Sequence, residues 1–294
     1  AEALRGAASK LLPTLADFLV DEERSVPDRG LIAGIYGNYA QEYPDYFTYL
    51  EDQLAETKDV DSTIEARLAV AKKQASIGAA LLAMGRIEKV WPLQCQSSNP
   101  TLRSYLIHRF APSGVDPQIL FERLSEENDA SVTSAILISL GEYGADRISH
   151  AERTKLRPTL LKLYQEHPDA GIHGATEALL VRWQMSEELE TLRAALVTEN
   201  LKFERDWYVD RQQHTMVVIT TPGAILIGDG LERHQRRIDR SFAIASKEAT
   251  VNQFLKFRSS HIGKNQSFDQ NSPVTRVSWY DAVAYCNWLS EQNG

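Results

Sequence analysis

The sequence predicts a mainly α-helical protein, an α-solenoid of helical repeats over residues 1–209, followed by a smaller α+β segment over residues 210–294. Three observations carry this. Helix-start residues and apolar residues at three-to-four spacing recur almost continuously to Glu199. Segments within that stretch resemble one another. From Asp210 onward the apolar residues are β-branched, fall in short runs and alternate with turn chemistry.

The helical signals can be taken in order. Asn99-Pro100 and Asp116-Pro117 each place a capping side chain before a proline whose missing N–H costs nothing at a helix start. Ser149 with Glu152 reads as a capping box, and Ser186 opens a stretch carrying Leu189, Leu192 and Leu196. Gly85 and Gly141 stand where a left-handed glycine would end a helix. The run Ala79 to Gly85 parallels Ala135 to Gly141, Leu102 to Ile107 parallels Val132 to Leu137, and Ile172 to Ala175 is a weaker copy. Paired helices at this spacing bury their apolar stripes on one another, as HEAT-type repeats do. The irregular period leaves an irregular helical bundle as the alternative.

A polar stretch over 206–213 marks the expected junction. Beyond it, Met216 to Ile219 and Ala224 to Ile227 read as two strands of a hairpin-like pair across Thr220-Thr221-Pro222-Gly223. Arg233, Arg236, Arg237 and Arg240 read as a solvated basic loop. Ser241 to Ser246 is a strand, and Thr250 with Gln253 caps a helix presenting Phe254, Leu255 and Phe257. Residues 259–272 are loop, 273–277 are extended, and Ser278 with Asp281 caps a last helix through Ala282, Cys286 and Leu289.

Composition narrows the function. A net charge of −8 gives no concentrated positive face for phosphates, so no nucleic-acid partner is expected. The longest apolar run, Ile77 to Met84, is too short for a membrane span, and no membrane partner is expected. Two cysteines, Cys95 and Cys286, make no disulfide framework, and no secretion signal opens the chain, so a cytoplasmic location is expected. The acidity is uneven: residues 210–294 sum to +2 from ten Lys/Arg and eight Asp/Glu, leaving −10 for residues 1–209.

Individual candidates resolve to structural roles. His167 and His173 lack the four-residue spacing of a helical metal pair, so His173 is read as an ordinary helix residue. Tyr36, Tyr39, Tyr43, Tyr46 and Tyr49 are read as packing, with Pro44 interrupting any single helix. Gly228-Asp229-Gly230 lacks the third glycine and helix of a dinucleotide site. Asn265-Gln266-Ser267 is read as a chance sequon. No nucleophile elbow, phosphate loop or zinc-protease motif occurs.

The tail nevertheless carries a specific pattern: Ile227-Gly228, then Arg237 to Ile244, then Lys247 to Phe254, then Pro273-Val274 through Val277-Ser278-Trp279, Asp281-Ala282, Ala284-Tyr285-Cys286 and Trp288. This resembles the opening of a formylglycine-generating-enzyme, or sulfatase-modifying factor, domain. Ile227 stands where methionine is usual, and Ala249 where valine is. The resemblance implies an α+β, C-type-lectin-related domain of which residues 210–294 form the incomplete start. The family's later Arg-Leu-Pro-Thr-Glu-Ala-Glu-Trp-Glu stretch and its copper-binding cysteine pair do not occur here, nor does the H-x-x-x-H-x-E motif of the sulfur–carbon-bond-forming relatives.

No residue is therefore assigned a catalytic, cofactor-binding or metal-binding role, and no cofactor is expected. The resulting expectation is a non-catalytic protein-interaction or regulatory module of a larger bacterial signalling protein, meeting protein partners through the helical repeats. Two alternatives stand beside it: a fragment of a formylglycine-generating-type oxidase whose cysteine pair lies downstream, and a bound target or cleavage fragment in a larger assembly.

Overall fold

The computed structural model describes residues 8–41, 43, 45–55, 63–198, 204–228, 233–261 and 269–293. Packing divides the chain into two compact units. One comprises residues 1–160 with 175–183, and the other 161–174 with 184–294.

The first unit is built from helices α1 (Ala8–Val20), α2 (Val26–Ala40), α3 (Asp45–Ala55), α4 (Ile64–Ala83), α5 (Thr101–Arg109), α6 (Pro117–Glu126), α7 (Ala130–Leu140) and much of α8 (His150–Glu166) and α9 (Ala170–Arg182). Several start where a side chain takes up orphaned N–H groups. Ser25 accepts from Asp28 N–H at 3.2 Å ahead of α2, Thr63 from Ala66 N–H at 3.2 Å ahead of α4, and Asp116 from Gln118 N–H at 2.9 Å ahead of α6. The Ser149–Glu152 box forms as expected, with reciprocal bonds of 2.7 and 3.3 Å. Asn99 acts one position further out than a standard cap, its amide oxygen accepting from Thr101 N–H at 3.1 Å.

Helix α4 contacts α1, α2, α3 and α5. That explains why its second half is apolar all round rather than striped: Ile77, Ala79, Leu81 and Leu82 are all buried. Helix α7 plays the same part against α5 and α6, burying Ala135, Ile136, Leu137 and Leu140. The two sequence-similar segments are thus both buried. Their endings differ. Gly85 adopts φ +77° as expected, whereas Gly141 is right-handed at φ −65°, because the chain continues in tight turns from Gly141 N–H to Ile138 O and from Glu142 N–H to Ser139 O.

Of the tyrosine cluster Tyr36 is packed in the core, while Tyr49 is 46% exposed. Tyr36 on α2 is buried, donates to Tyr46 O at 2.8 Å and meets Phe47 edge-on, while Tyr46 and Tyr49 lie on α3. Pro44 lies outside the described residues.

The second unit holds α10 (Ser186–Thr198) and five strands, β1 (Trp207–Val209), β2 (Thr215–Ile219), β3 (Gly223–Ile227), β4 (His234–Ile238) and β5 (Phe242–Ala245). Helices α11 (Val251–Phe257) and α12 (Trp279–Asn293) follow. The strands form two antiparallel sheets, β1-β2-β5 and β3-β4.

This corrects the expected hairpin, since β2 and β3 do not pair. Both edges of β2 are taken, by β1 and β5, and the chain leaves β2 through Thr221 at φ +37° and Gly223 at φ +72°. Strand β3 pairs instead with β4, so Arg236 and Arg237 of the expected loop are strand residues, although exposed. Within the extended stretch 273–277, Pro273 bridges Thr250 and Val274 N–H donates to Ala249 O at 2.9 Å, while Arg276 turns the backbone at φ +59°. Asp229 and Gly230 lie outside the described residues, as does the 265–267 sequon.

Residues 206–213 are not an open linker. Trp207, Val209 and Asp210 are buried, and Val218 N–H donates to Asp206 O at 2.7 Å. Among the described residues no helix is long and apolar enough to cross a membrane.

Candidate functional site

The polar residues of the second unit converge at the turn between β1 and β2. Asp210 follows directly on β1, and Gln213 takes a left-handed conformation at φ +68°. The turn returns the chain so that Asp210 and His214 face one another, with Asp210 N–H donating to His214 O at 2.9 Å. The Asp210 carboxylate accepts the backbone N–H groups of Gln212 and His214, each at 2.8 Å. Its second oxygen lies 3.0 Å from His214 Nδ1. His214 Nε2 lies 2.8 Å from the Tyr285 hydroxyl on α12. All three side chains are buried.

The direction of the chain follows from chemistry. An ionised carboxylate can only accept, so Nδ1 carries a proton, and with the imidazole neutral Nε2 accepts from the Tyr285 hydroxyl. Burial pushes the Asp210 carboxyl up, but the hydrogen bonds from the His214 ring and backbone outweigh it and hold the pKa below its ordinary value. Tyr285 is pushed the other way, upward, by burial first and then by the Asp210 charge. Its proton is therefore held more tightly than in water.

Helix α12 is tied down at both its ends, to Arg258 after α11 at its start and to the turn at its end. At its start Ser278 and Asp281 cap reciprocally, with bonds of 3.1 and 3.2 Å, and Asp281 also pairs with Arg258. The Ser278 hydroxyl first, and Arg258 next, bring the Asp281 carboxyl down to about 2. At its end Asn293 accepts from Arg211 N–H at 3.3 Å, and Gln292 O accepts from the Arg211 guanidinium at 3.1 Å. Between them Tyr285 packs in an aromatic cluster, with ring centroids 5.2 Å from Phe254, 5.7 Å from Phe257 and 5.7 Å from Trp288. Helix α11 presents Phe254 and Phe257 from the Thr250–Gln253 capping box, which forms as expected.

Beside this array lies a cleft of about 390 Å³. Met216, Ala243 and Ala245 line it from the sheet, Val277 and Leu289 add apolar surface, and His214, Tyr285 and Cys286 reach its wall. Its floor is set by register: Met216 pairs with Ala245 and Val218 with Ala243, so these four side chains share one sheet face. Strand β5 is the sheet's edge. Ser246 N–H donates to Thr215 O, which makes Ser246–Thr215 a hydrogen-bonded pair, and Ile244 and Phe242 follow at alternate positions. The N–H and C=O groups of Ala243 and Ala245 consequently point away from β2, toward the open edge.

A second aromatic junction anchors β1. His173 is a residue of helix α9, buried between the Tyr164 and Trp207 rings, and its Nδ1 meets Tyr164 O at 2.7 Å. The His167 ring accepts from Asp169 N–H at 3.1 Å, and the two histidines form no metal pair. Among the described residues no group of three or more His, Cys, Asp or Glu is placed to hold a metal ion. Copper, implied by the family resemblance, finds no fitting donor set: Cys286 is the one thiol of the second unit, and two-thiolate ligation needs a partner sulfur.

The Asp210–His214–Tyr285 chain was not readable as a site from sequence. Its one local signal is an acid four residues before a histidine, at a strand-turn-strand junction. No curated protein and no solved structure matches this chain. Residues 208–292, from β1 through α12, match the family model of the sulfatase-modifying factor enzyme 1-like domain, the family whose motif pattern runs from Ile227 to Trp288.

Proposed function

We propose that this chain is a non-catalytic protein-interaction module whose second unit receives an extended polypeptide strand along β5. The observation that carries this is the open β5 edge above an apolar cleft. Two residues present outward backbone donors and acceptors, and alternate side chains of an added strand would enter the cleft. Ile244, 55% exposed, would be covered by the same event. The polar groups at the wall are satisfied by one another, which suits binding better than proton transfer.

The helical unit supports the same class of function. Leu31 and Ile35 of α2, one helical turn apart, are 71% and 45% exposed, an apolar pair through which HEAT-like repeats would meet a protein partner. Placement in a larger bacterial signalling protein accords with helical repeats preceding such a domain. A cytoplasmic setting accords with two free, exposed cysteines.

The test is binding of a panel of extended peptides with alternating apolar residues to the full chain, read by hydrogen exchange. Protection gained at the Ala243 and Ala245 amides supports strand addition. Binding that leaves both amides unprotected, or no binding across the panel, sinks it. The family match favours a second reading, an oxidase, for which conversion of cysteine to formylglycine in a sulfatase-type peptide is the readout.

A further inference from the structure

Away from the cleft, the first unit buries two guanidinium groups beside a single carboxylate. Arg29 on α2 and Arg109 on α5 are 5% and 8% exposed. Both converge on Glu22, in the turn after α1: Arg29 Nη1 lies 2.7 Å from Oε1, and Arg109 reaches Oε1 at 3.1 Å and Oε2 at 3.0 Å. Arg109 Nη1 also donates to the Ser76 hydroxyl on α4. Burial pushes the Glu22 carboxyl up, but the two arginines, Arg109 ahead of Arg29, more than reverse this, and Glu22 stays ionised. The neighbouring Asp21 is matched by Arg24 at 3.2 Å and gives Arg29 only its carbonyl oxygen.

The charge does not balance. Arginine does not deprotonate in proteins, so two positive charges face one negative charge where desolvation makes the excess costly. Arg29 Nε is buried with no hydrogen-bond partner. Next to it lies a cavity of about 10 Å³ lined by Arg29, Arg109, Ser76 and Ser113, with Val26 and Ala80 closing it. That volume suits one small, atom-sized ligand. The Ser113 hydroxyl carries no hydrogen bond among the described residues, and Gly30, whose Cβ would come within 2.5 Å of Ser113 O, keeps this wall in place.

We propose that this cavity is a binding site for a monatomic anion, chloride in the cell, held by Arg29, Arg109 and the Ser113 hydroxyl. The anion neutralises the excess guanidinium charge and ties α2 to α5. It is a structural site of the helical unit, independent of the β5 cleft.

The experiment is thermal unfolding of the full chain in sodium chloride and in sodium gluconate at equal ionic strength, with crystals grown in sodium bromide. A saturable chloride-dependent rise in melting temperature is expected, absent in Arg29→Met. Ser113→Ala should weaken the apparent chloride affinity by about 10- to 100-fold, the worth of one hydrogen bond to a charge. An anomalous bromide peak should fall between Arg29, Arg109 and Ser113. Should Arg29→Met fail to fold, Ser113→Ala and the bromide peak still decide the matter. Equal melting curves in the two salts, or a bromide-free cavity holding only water, would overturn the proposal.

Discussion

The imidazole of His173 lies 3.6 Å, centroid to centroid, from the indole of Trp207, with the planes 23° apart, and Tyr164 stacks on its other face at 4.3 Å. The indole N–H completes the junction by donating to His167 O at 2.9 Å. A three-ring stack of this kind joins the α8–α9 turn to β1 inside the second unit, and it gives that unit a core beyond its short strands.

Trp207→Ala should therefore destabilise the second unit by about 3–5 kcal/mol, the cost of emptying a large aromatic site. Trp207→Phe should cost less, because the ring stays while the His167 carbonyl loses its donor. Urea unfolding followed by near-ultraviolet circular dichroism compares the two. Equal and small losses would show that the stack carries little stability.

The buried polar chain sets a pH dependence whose sign can be worked out. Asp210 titrates below its ordinary value in the folded protein. Its contribution is full above the unfolded-state pKa, near 3.8, and is lost as pH falls through the lower folded value. Asp210→Asn should cost about 1–3 kcal/mol at neutral pH, the penalty of breaking a buried hydrogen-bonded array. The gap between parent and variant should close at acid pH. Tyr285→Phe should cost a similar amount, because it leaves His214 Nε2 without its donor. Melting curves from pH 7 to pH 2.5 test both, and a gap that widens toward acid would contradict the assignment.

What could be read in advance depended on range. The capping boxes at Ser149–Glu152 and Thr250–Gln253 were legible because both partners lie within four residues and satisfy local donors. The pairing of β2 was not, because nothing near Ile219 reports that β5 will occupy its second edge. Asp210, His214 and Tyr285 meet across 71 residues, and none of the three is unusual in its own neighbourhood. The family pattern was legible at Trp279, yet that side chain is 72% exposed and Tyr280 79% exposed, while Phe254 and Tyr285 are buried. A motif names positions without saying which of them this chain covers.

Copper chemistry supplies a third prediction. Cys286 reaches the cleft wall without a second thiol in its unit. Cu(I) titration of the chain should show no stoichiometric two-thiolate site, and Cys286→Ser should leave metal uptake unchanged. A charge-transfer or X-ray absorption signature of two sulfur ligands would refute this.

The glycines of α2 give the sharpest contrast, because three of them share one helix and differ only in their surroundings. A Cβ at Gly30 would lie 2.5 Å from the Ser113 carbonyl oxygen and 2.7 Å from its carbon, a backbone wall that cannot swing aside. At Gly37 the obstacle is the Met84 side chain at 2.8 Å, an unbranched thioether that can move. At Gly34 nothing lies within 4 Å. Replacing glycine by alanine inside a helix gains about 0.5–1 kcal/mol where space permits. Overpacking a buried contact costs about 1–3 kcal/mol. Gly34→Ala should therefore raise the melting temperature, Gly37→Ala should be near neutral, and Gly30→Ala should lower it by separating α2 from the turn after α5. Melts of the three single variants decide it: a stabilised Gly30→Ala would mean that α2 does not sit against Ser113, and with that contact the wall of the proposed anion site would go too.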